Sequence, residues 1–147
     1  MKKAVLFLVI VLVSKVSYSQ DCKLSFEQFT TVIDFEQSEF ENFALKNGFS
    51  YNTQTKNYIC DVSDSIGNRN TMIHGEQDGV VALLYSFHDK SEYLVFKGIL
   101  EKGKLVEIVN EADIYRLEFM LNGSRYFLQT STINSINTYM ISFAKSK

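Results

Sequence analysis

The chain has 147 residues, with 15 lysines and arginines against 17 aspartates and glutamates, so its formal net charge is −2 at pH 7. The basic residues form no stripe along the sequence, which argues against nucleic-acid and anionic-lipid partners. The chain contains no proline and no segment with linker composition, so length and composition together predict one domain rather than several.

The first 19 residues are predicted to be a bacterial-style secretory signal peptide. Two lysines follow the initial methionine, residues 4–13 are all apolar, and Ser17 and Ser19 place small side chains where a signal peptidase reads them. This apolar run is too short to span a bilayer, and no later run approaches the length of a membrane span. Cleavage after Ser19 leaves residues 20–147 as a single exported domain, periplasmic or extracellular, with 12 basic and 17 acidic residues and a net charge of −5.

Cys22 and Cys60 are predicted to form a disulfide bond, because an exported chain with an even number of cysteines meets an oxidising compartment. The bond would tie the N-terminal segment to the end of an early strand. Two free thiols and a redox or metal pair are the alternatives, but the spacing of the two residues is not C-x-x-C. The acidic Asp21 disfavours lipidation of the neighbouring Cys22.

A helical pair, or one bent helix, is predicted between Ser25 and Asn47. Ser25 and Gln28 match the S-x-x-Q capping box, in which two side chains satisfy free backbone donors of the first turn. Apolar residues then recur at helical spacing on one face, namely Phe26, Phe29 and Ile33. Asp34 is a candidate cap for a second helix, and Gly48 predicts where that helix ends.

Strands are predicted after Gly48. The runs that favour β structure are residues 49–52, 56–62, 71–75, 80–87, 93–100, 114–121, 124–130 and 138–144. Residues 105–112 fit either a helix or a strand. Residues 61–70 and 131–137 are predicted loops, and residues 88–91 and 101–104 are predicted turns. The Asn122-Gly123 pair favours a type I′ hairpin turn, because both residues tolerate positive φ.

Helices followed by strands and short turns predict the α+β class. We expect the N-terminal helical pair, or one bent helix, to pack on a mostly antiparallel sheet of six to eight strands. This order of elements is similar to that of secreted inhibitor-like and PepSY-like domains. The similarity rests on no diagnostic motif, so it concerns the fold alone.

No catalytic residue, metal ligand or cofactor is predicted. His74 and His88 are expected at exposed turns, and they would form a His/His/acid cluster only if the two strands that carry them pair. The sequence lacks a G-x-S-x-G elbow. Acidic and amide residues that could serve glycoside hydrolysis or calcium binding lie in turn-rich stretches, where they are expected anyway: Asp61, Asp64, Asn68, Asn70, Glu76 and Asp78.

Two short motifs suggest covalent modification. Asn122-Gly123-Ser124 matches the N-glycosylation sequon, although a hairpin turn explains the Asn-Gly pair without a glycan. Asp64-Ser65-Ile66 resembles the D-[ST]-hydrophobic motif that some bacteria O-glycosylate on exported proteins, although a surface turn also explains it.

Recognition is the function that these observations favour. Tyrosines are spread through the predicted strands, and five are candidates for an aromatic binding face: Tyr85, Tyr93, Tyr115, Tyr126 and Tyr139. The first hypothesis is a non-enzymatic, inhibitor-like binding module that uses the exposed sheet face. The alternative is a carrier of a small apolar or envelope-derived ligand between helices and sheet, and a weaker one is a hydrolase that uses a His/acid pair.

Overall fold

A computed structural model describes residues 22–62, 68–133 and 135–146. The predicted signal peptide and the Asp64-Ser65-Ile66 motif lie outside the described residues. Within the described ranges, no helix has the length and hydropathy that crossing a membrane requires.

The predicted N-terminal helical pair is confirmed. α1 comprises Phe26–Thr31 and leads through a 3₁₀ turn, Val32–Asp34, to α2, Gln37–Lys46. Ser25 caps α1 as expected, because its hydroxyl accepts from the Gln28 amide at 3.1 Å while its own amide donates to Gln28 Oε1 at 2.9 Å.

The expectation that Asp34 caps α2 is wrong. Asp34 lies inside the 3₁₀ turn, and its carboxylate instead accepts from Lys145 Nζ at 2.6 Å. Glu36 is the residue that precedes α2, and its amide donates to Glu39 Oε2 at 3.0 Å. The glycine stop is confirmed, since Gly48 follows α2 with a φ of 85°.

All eight strands of the described ranges belong to one antiparallel sheet, which confirms the predicted α+β class. In chain order the strands are β1 Ser50–Asn52, β2 Asn57–Asp61, β3 Arg69–Gln77, β4 Val80–Phe87, β5 Lys104–Glu111, β6 Ile114–Leu121, β7 Ser124–Ile133 and β8 Ile136–Ser146. Their order across the sheet is β1-β2-β3-β4-β8-β7-β6-β5. The last strand therefore lies in the middle, between β4 and β7.

The prediction of a strand at residues 93–100 is wrong, because Lys90–Leu100 forms a helix, α3. Asp89 caps this helix by accepting from the Ser91 amide at 2.7 Å. Tyr93, Phe96 and Leu100 are buried at helical spacing, and the predicted turn at residues 101–104 joins this helix to β5. The ambiguous residues 105–112 form β5 and the turn that follows it.

The hairpin at Asn122-Gly123 is confirmed, since both residues have positive φ and connect β6 to β7. The predicted loop at residues 131–137 is wrong, because β7 and β8 continue into it and pair as far as Ile133 and Ile136. Side chains support this extension, with Thr132 Oγ1 lying 2.7 Å from Asn137 Oδ1.

The two faces of the sheet differ in what lies against them. On β4, Leu83, Tyr85 and Phe87 are fully buried, whereas Val80 and Ala82 are exposed. The three helices pack on the buried side, where α2 contacts β3 and α3 contacts β6 and β8. Helix side chains that complete this core include Phe29, Phe40 and Phe96. We call this side the covered face and the other side the open face.

Candidate functional site

The five tyrosines that were expected on an exposed aromatic face do not lie on the open face of the sheet. Tyr85, Tyr126 and Tyr139 point to the covered face and are at most 6% exposed, while Tyr93 lies on α3 and packs against Tyr139. Tyr115 is level with Thr130 and Tyr139 and so also lies on the covered side, but it alone among the five is exposed, at 39%. The expectation of an exposed patch is therefore wrong, because one of the five rings is exposed and four are buried. A binding role for these tyrosines stays a prediction.

The open face is built from other residues, which the strand register brings together. Residues that pair directly on antiparallel strands point to the same face of the sheet. One row across five strands consists of Glu118, Phe127, Ser142, Leu84 and Ile73. The next row consists of Met120, Arg125, Ala144, Ala82 and Gly75. Neither row has a helix above it.

A broad apolar trough lies on these rows, with a volume of about 670 Å³. Its floor is formed by small residues, Gly75, Ala82, Ser142 and Ala144, and its apolar walls are Ile73, Val80, Leu84 and Phe127. Ile73 and Val80 are 42% and 41% exposed. Such residues are normally buried, so their collection on one open surface is the feature that most resembles a binding site.

Two of the charged groups beside this trough are paired with each other. Arg125 Nε lies 3.0 Å from Glu118 Oε1, and Glu118 is buried although it points to the open face. The Arg116 guanidinium lies 5.8 Å from the centroid of the Phe127 ring, a distance at which a cation interacts with an aromatic face. The Phe127 end of the trough therefore carries two guanidinium groups and one carboxylate, and the acidic residues Glu76 and Asp78 also line the trough.

Sequence reasoning missed this site, although one signal for it was present. Residues 80–85 form the longest apolar run after the N-terminal segment, and such a run places apolar side chains on both faces of a strand. One face of β4 packs under the helices, so the apolar side chains on its other face are left uncovered.

The two histidines are not brought together. Their strands do pair, but His74 lies opposite Leu83, and His88 follows β4 five residues further along. At about 3.4 Å per residue the two side chains are roughly 17 Å apart. His74 is not at an exposed turn as expected, since it lies within β3, stacks on Phe40 with centroids 4.6 Å apart, and has two buried ring nitrogens without a hydrogen-bond partner. In the described part of the chain, no three His, Cys, Asp or Glu side chains are grouped to hold a metal ion.

The predicted disulfide is confirmed. Cys22 and Cys60 are bonded, and the bond holds the N-terminal segment over β2 and β3. The Cys22 carbonyl accepts from Asn70 Nδ2 at 3.1 Å, and the Leu24 amide donates to Glu92 Oε1 at 3.3 Å. This segment therefore closes one end of the layer between sheet and helices.

A half-buried acid, Glu92, lies beneath that segment. Tyr85 Oη lies 2.8 Å from Glu92 Oε1, and Glu92 Oε2 is buried without a hydrogen-bond partner. Burial raises the pKa of Glu92 to about 7, against the lowering effect of the bonds from Tyr85 and the Leu24 amide. Burial likewise raises the pKa of the Tyr85 hydroxyl. Beside them, the bond from Lys23 lowers the pKa of Asp89.

Comparison of the chain with protein-family models, with curated proteins and with solved structures finds no match.

Proposed function

We propose that this protein is an exported, non-enzymatic binding module that recognises a protein partner through the open face of its sheet. The observation that carries the proposal is the apolar trough, which lies on a sheet whose helices all pack on the opposite face. An apolar surface that no helix covers is a candidate contact surface for a partner. An inhibitor-like action, in which this face blocks a site on the partner, is one form of the proposal.

Recognition on the open face is favoured over the two alternatives by the packing. The layer between helices and sheet, where a carried ligand would lie, is filled by aromatic side chains such as Phe40, Phe87 and Phe96. The hydrolase alternative needs a histidine beside an acid and a nucleophile, but His74 lies within β3 and stacks on Phe40, and His88 lies beyond the end of β4, too far away to join it.

The open-face proposal is tested with a matched pair of arginine substitutions. Ala82→Arg places a charge at the centre of the trough, whereas Val95→Arg replaces a residue that is 61% exposed on α3, on the helical side. Wild-type and variant proteins are immobilised and incubated with extract of the native envelope, and the captured proteins are quantified by mass spectrometry. We expect a partner that the wild type and the α3 variant retain and that Ala82→Arg loses.

Equal capture by all three proteins would contradict recognition through this face. Circular dichroism and thermal melting of both variants check that each one folds, so that a loss of binding reports the surface and not the fold.

Export is tested separately. We expect the purified extracellular or periplasmic protein to begin at Gln20, as read by N-terminal sequencing, because Ser17 and Ser19 meet the small-residue requirement of signal peptidase. Full-length protein retained in the cytoplasm would contradict this part of the proposal.

A further inference from the structure

We propose that the partner on the open face is a second copy of this chain, and this inference rests on the proposed function. The two copies meet open face to open face. They are related by a two-fold axis that runs parallel to β4 and β8 and lies between those strands. Such an interface is isologous, so each copy contributes the same surface and the assembly closes as a dimer.

The proposal follows from how side-chain size alternates between the two central strands. On the open face, β4 and β8 pair Val80 with Ser146, Ala82 with Ala144, Leu84 with Ser142 and Ser86 with Met140. In three of these four pairs a bulky side chain lies beside a small one. The two-fold axis places β4 of one copy over β8 of the other, so each bulky side chain comes to lie over a small one.

On the flanking strands the two-fold axis sets a bulky residue over a small one in one row and brings two apolar residues into contact in the next. β7 of one copy lies over β3 of the other, which places Arg125 over Gly75. Open space surrounds Gly75, since a Cβ atom added there would meet no atom within 4 Å. Phe127 lies over Ile73, which is 42% exposed in a single copy. Interdigitation of this kind is what allows two sheets to pack at about 10 Å.

The open face also has the size and charge that a dimer needs. Five strands of about eight residues span roughly 24 Å by 27 Å, or about 650 Å², before side-chain relief is added. A standard stable interface buries about 800 Å² per partner, so the face is of the required order. Over these five strands and the turn between β3 and β4, the charges on the face are Arg116 and Arg125 against Glu118 and Asp78, which balance even though the whole chain is acidic.

The oligomeric state tests the proposal. Light scattering after size exclusion, across a dilution series of the purified exported protein, is expected to give a dimer for the wild type and for Val95→Arg. Ala82→Arg is expected to be monomeric. The dissociation constant of its dimer should rise by at least roughly a hundred-fold, because two guanidinium groups would be buried without partners. A wild-type protein that is monomeric throughout the series overturns the proposal, as does a dimer that Val95→Arg disrupts and Ala82→Arg does not.

A size swap tests the orientation of the two copies. Leu84→Ser or Ser142→Leu alone is expected to weaken the dimer roughly tenfold, because the first leaves a gap and the second makes two leucines meet. The double variant L84S/S142L restores the alternation, since the bulky residue now lies on β8 and the small one on β4. Association of the double variant that is no tighter than either single variant overturns the two-fold arrangement.

Failure of this inference is distinguishable from failure of the proposed function. A monomeric wild type whose capture of another protein is still lost with Ala82→Arg rejects the second copy but retains recognition through the open face. A monomer whose capture is equal for both arginine variants rejects both proposals.

Discussion

Glu92 lies on α3 with one carboxyl oxygen bonded to the Tyr85 hydroxyl and to the Leu24 amide, and the other buried without a partner. Desolvation raises its pKa to about 7 from an ordinary value of 4.5. The folded protein therefore holds the proton on this group more tightly than the unfolded chain does. Its contribution to stability is fully present below pH 4.5 and is lost as the pH rises through about 7.

Glu92→Gln is expected to remove this pH dependence. The amide keeps an oxygen for the Tyr85 and Leu24 donors but cannot ionise. Its charge therefore stays the same between pH 5 and pH 8. Urea midpoints measured over that range should fall with rising pH for the wild type and fall less steeply for the variant. Parallel curves for the two proteins would show that Glu92 does not titrate differently in the folded and unfolded states.

The orientation of single residues is where sequence reasoning was weakest. Residues 80–85 are apolar at both odd and even positions, so the sequence does not decide whether Tyr85 or its neighbours face inward. The fold decides it, because Tyr85 faces the helices and Ala82 and Leu84 form the open face. For the same reason the tyrosines were expected on an exposed face of the sheet, because tyrosine favours strands, whereas four of the five are buried.

At the scale of elements, local signals were reliable and composition alone was not. The capping box at Ser25 and the Asn-Gly turn were predictable because each depends on a few adjacent residues. α3 was predicted as a strand because Tyr93, Val95 and Phe96 favour β structure. The packing of Tyr93, Phe96 and Leu100 against the sheet overrides that preference, and Asp89 supplies the first capping bond.

The cap of α3 provides a test with a matched control. Asp89→Ala removes both the bond to the Ser91 amide and the ion pair to Lys23, so it is expected to destabilise the protein by about 1 kcal/mol or somewhat more. Asp89→Asn keeps the cap and loses only an exposed ion pair, so its loss should be much smaller. Chemical denaturation measures both. Equal losses would mean that the ion pair, and not the cap, is the stabilising contact.

The segment held by the disulfide gives a second prediction at this scale. Replacing both Cys22 and Cys60 by alanine is expected to cost about 4 kcal/mol, because the unfolded chain regains the freedom of a loop of this length. The wild type under reducing conditions should lose a similar amount, whereas the variant should be unaffected by reductant. A variant as stable as the oxidised wild type would contradict a stabilising role for the bond.

At the scale of the whole molecule, the open face could not be predicted because it depends on the order of the strands. Ala82 and Ala144 are far apart in sequence, and they become neighbours only because β8 lies between β4 and β7. Local pattern predicted the class of fold and most strands, but it carries no information about which distant strands pair. The trough exists only once that pairing is made.

The central position of β8 makes a prediction about truncation. A chain that ends after Ile133 lacks the strand that joins β4 to β7, so it is expected not to form the native sheet. A chain that ends after Ala144 loses only the outermost pairs of β4 with β8 and the exposed ion pair between Lys145 and Asp34, so it should fold. Far-ultraviolet circular dichroism and resistance to protease distinguish the two. A folded, protease-resistant chain ending after Ile133 would contradict the central role of β8.

This strand order also governs how the protein is made. A ribosome delivers β1–β4 first and β5–β7 later, and the two sheet fragments have no direct pairing with each other. Until the β8 residues emerge, the backbone groups along the facing edges of β4 and β7 lack their strand partner and the aromatic layer is incomplete. Open strand edges of this kind are sites that chaperones and proteases bind. β8 is thus the strand whose pairing ends the exposure of both edges.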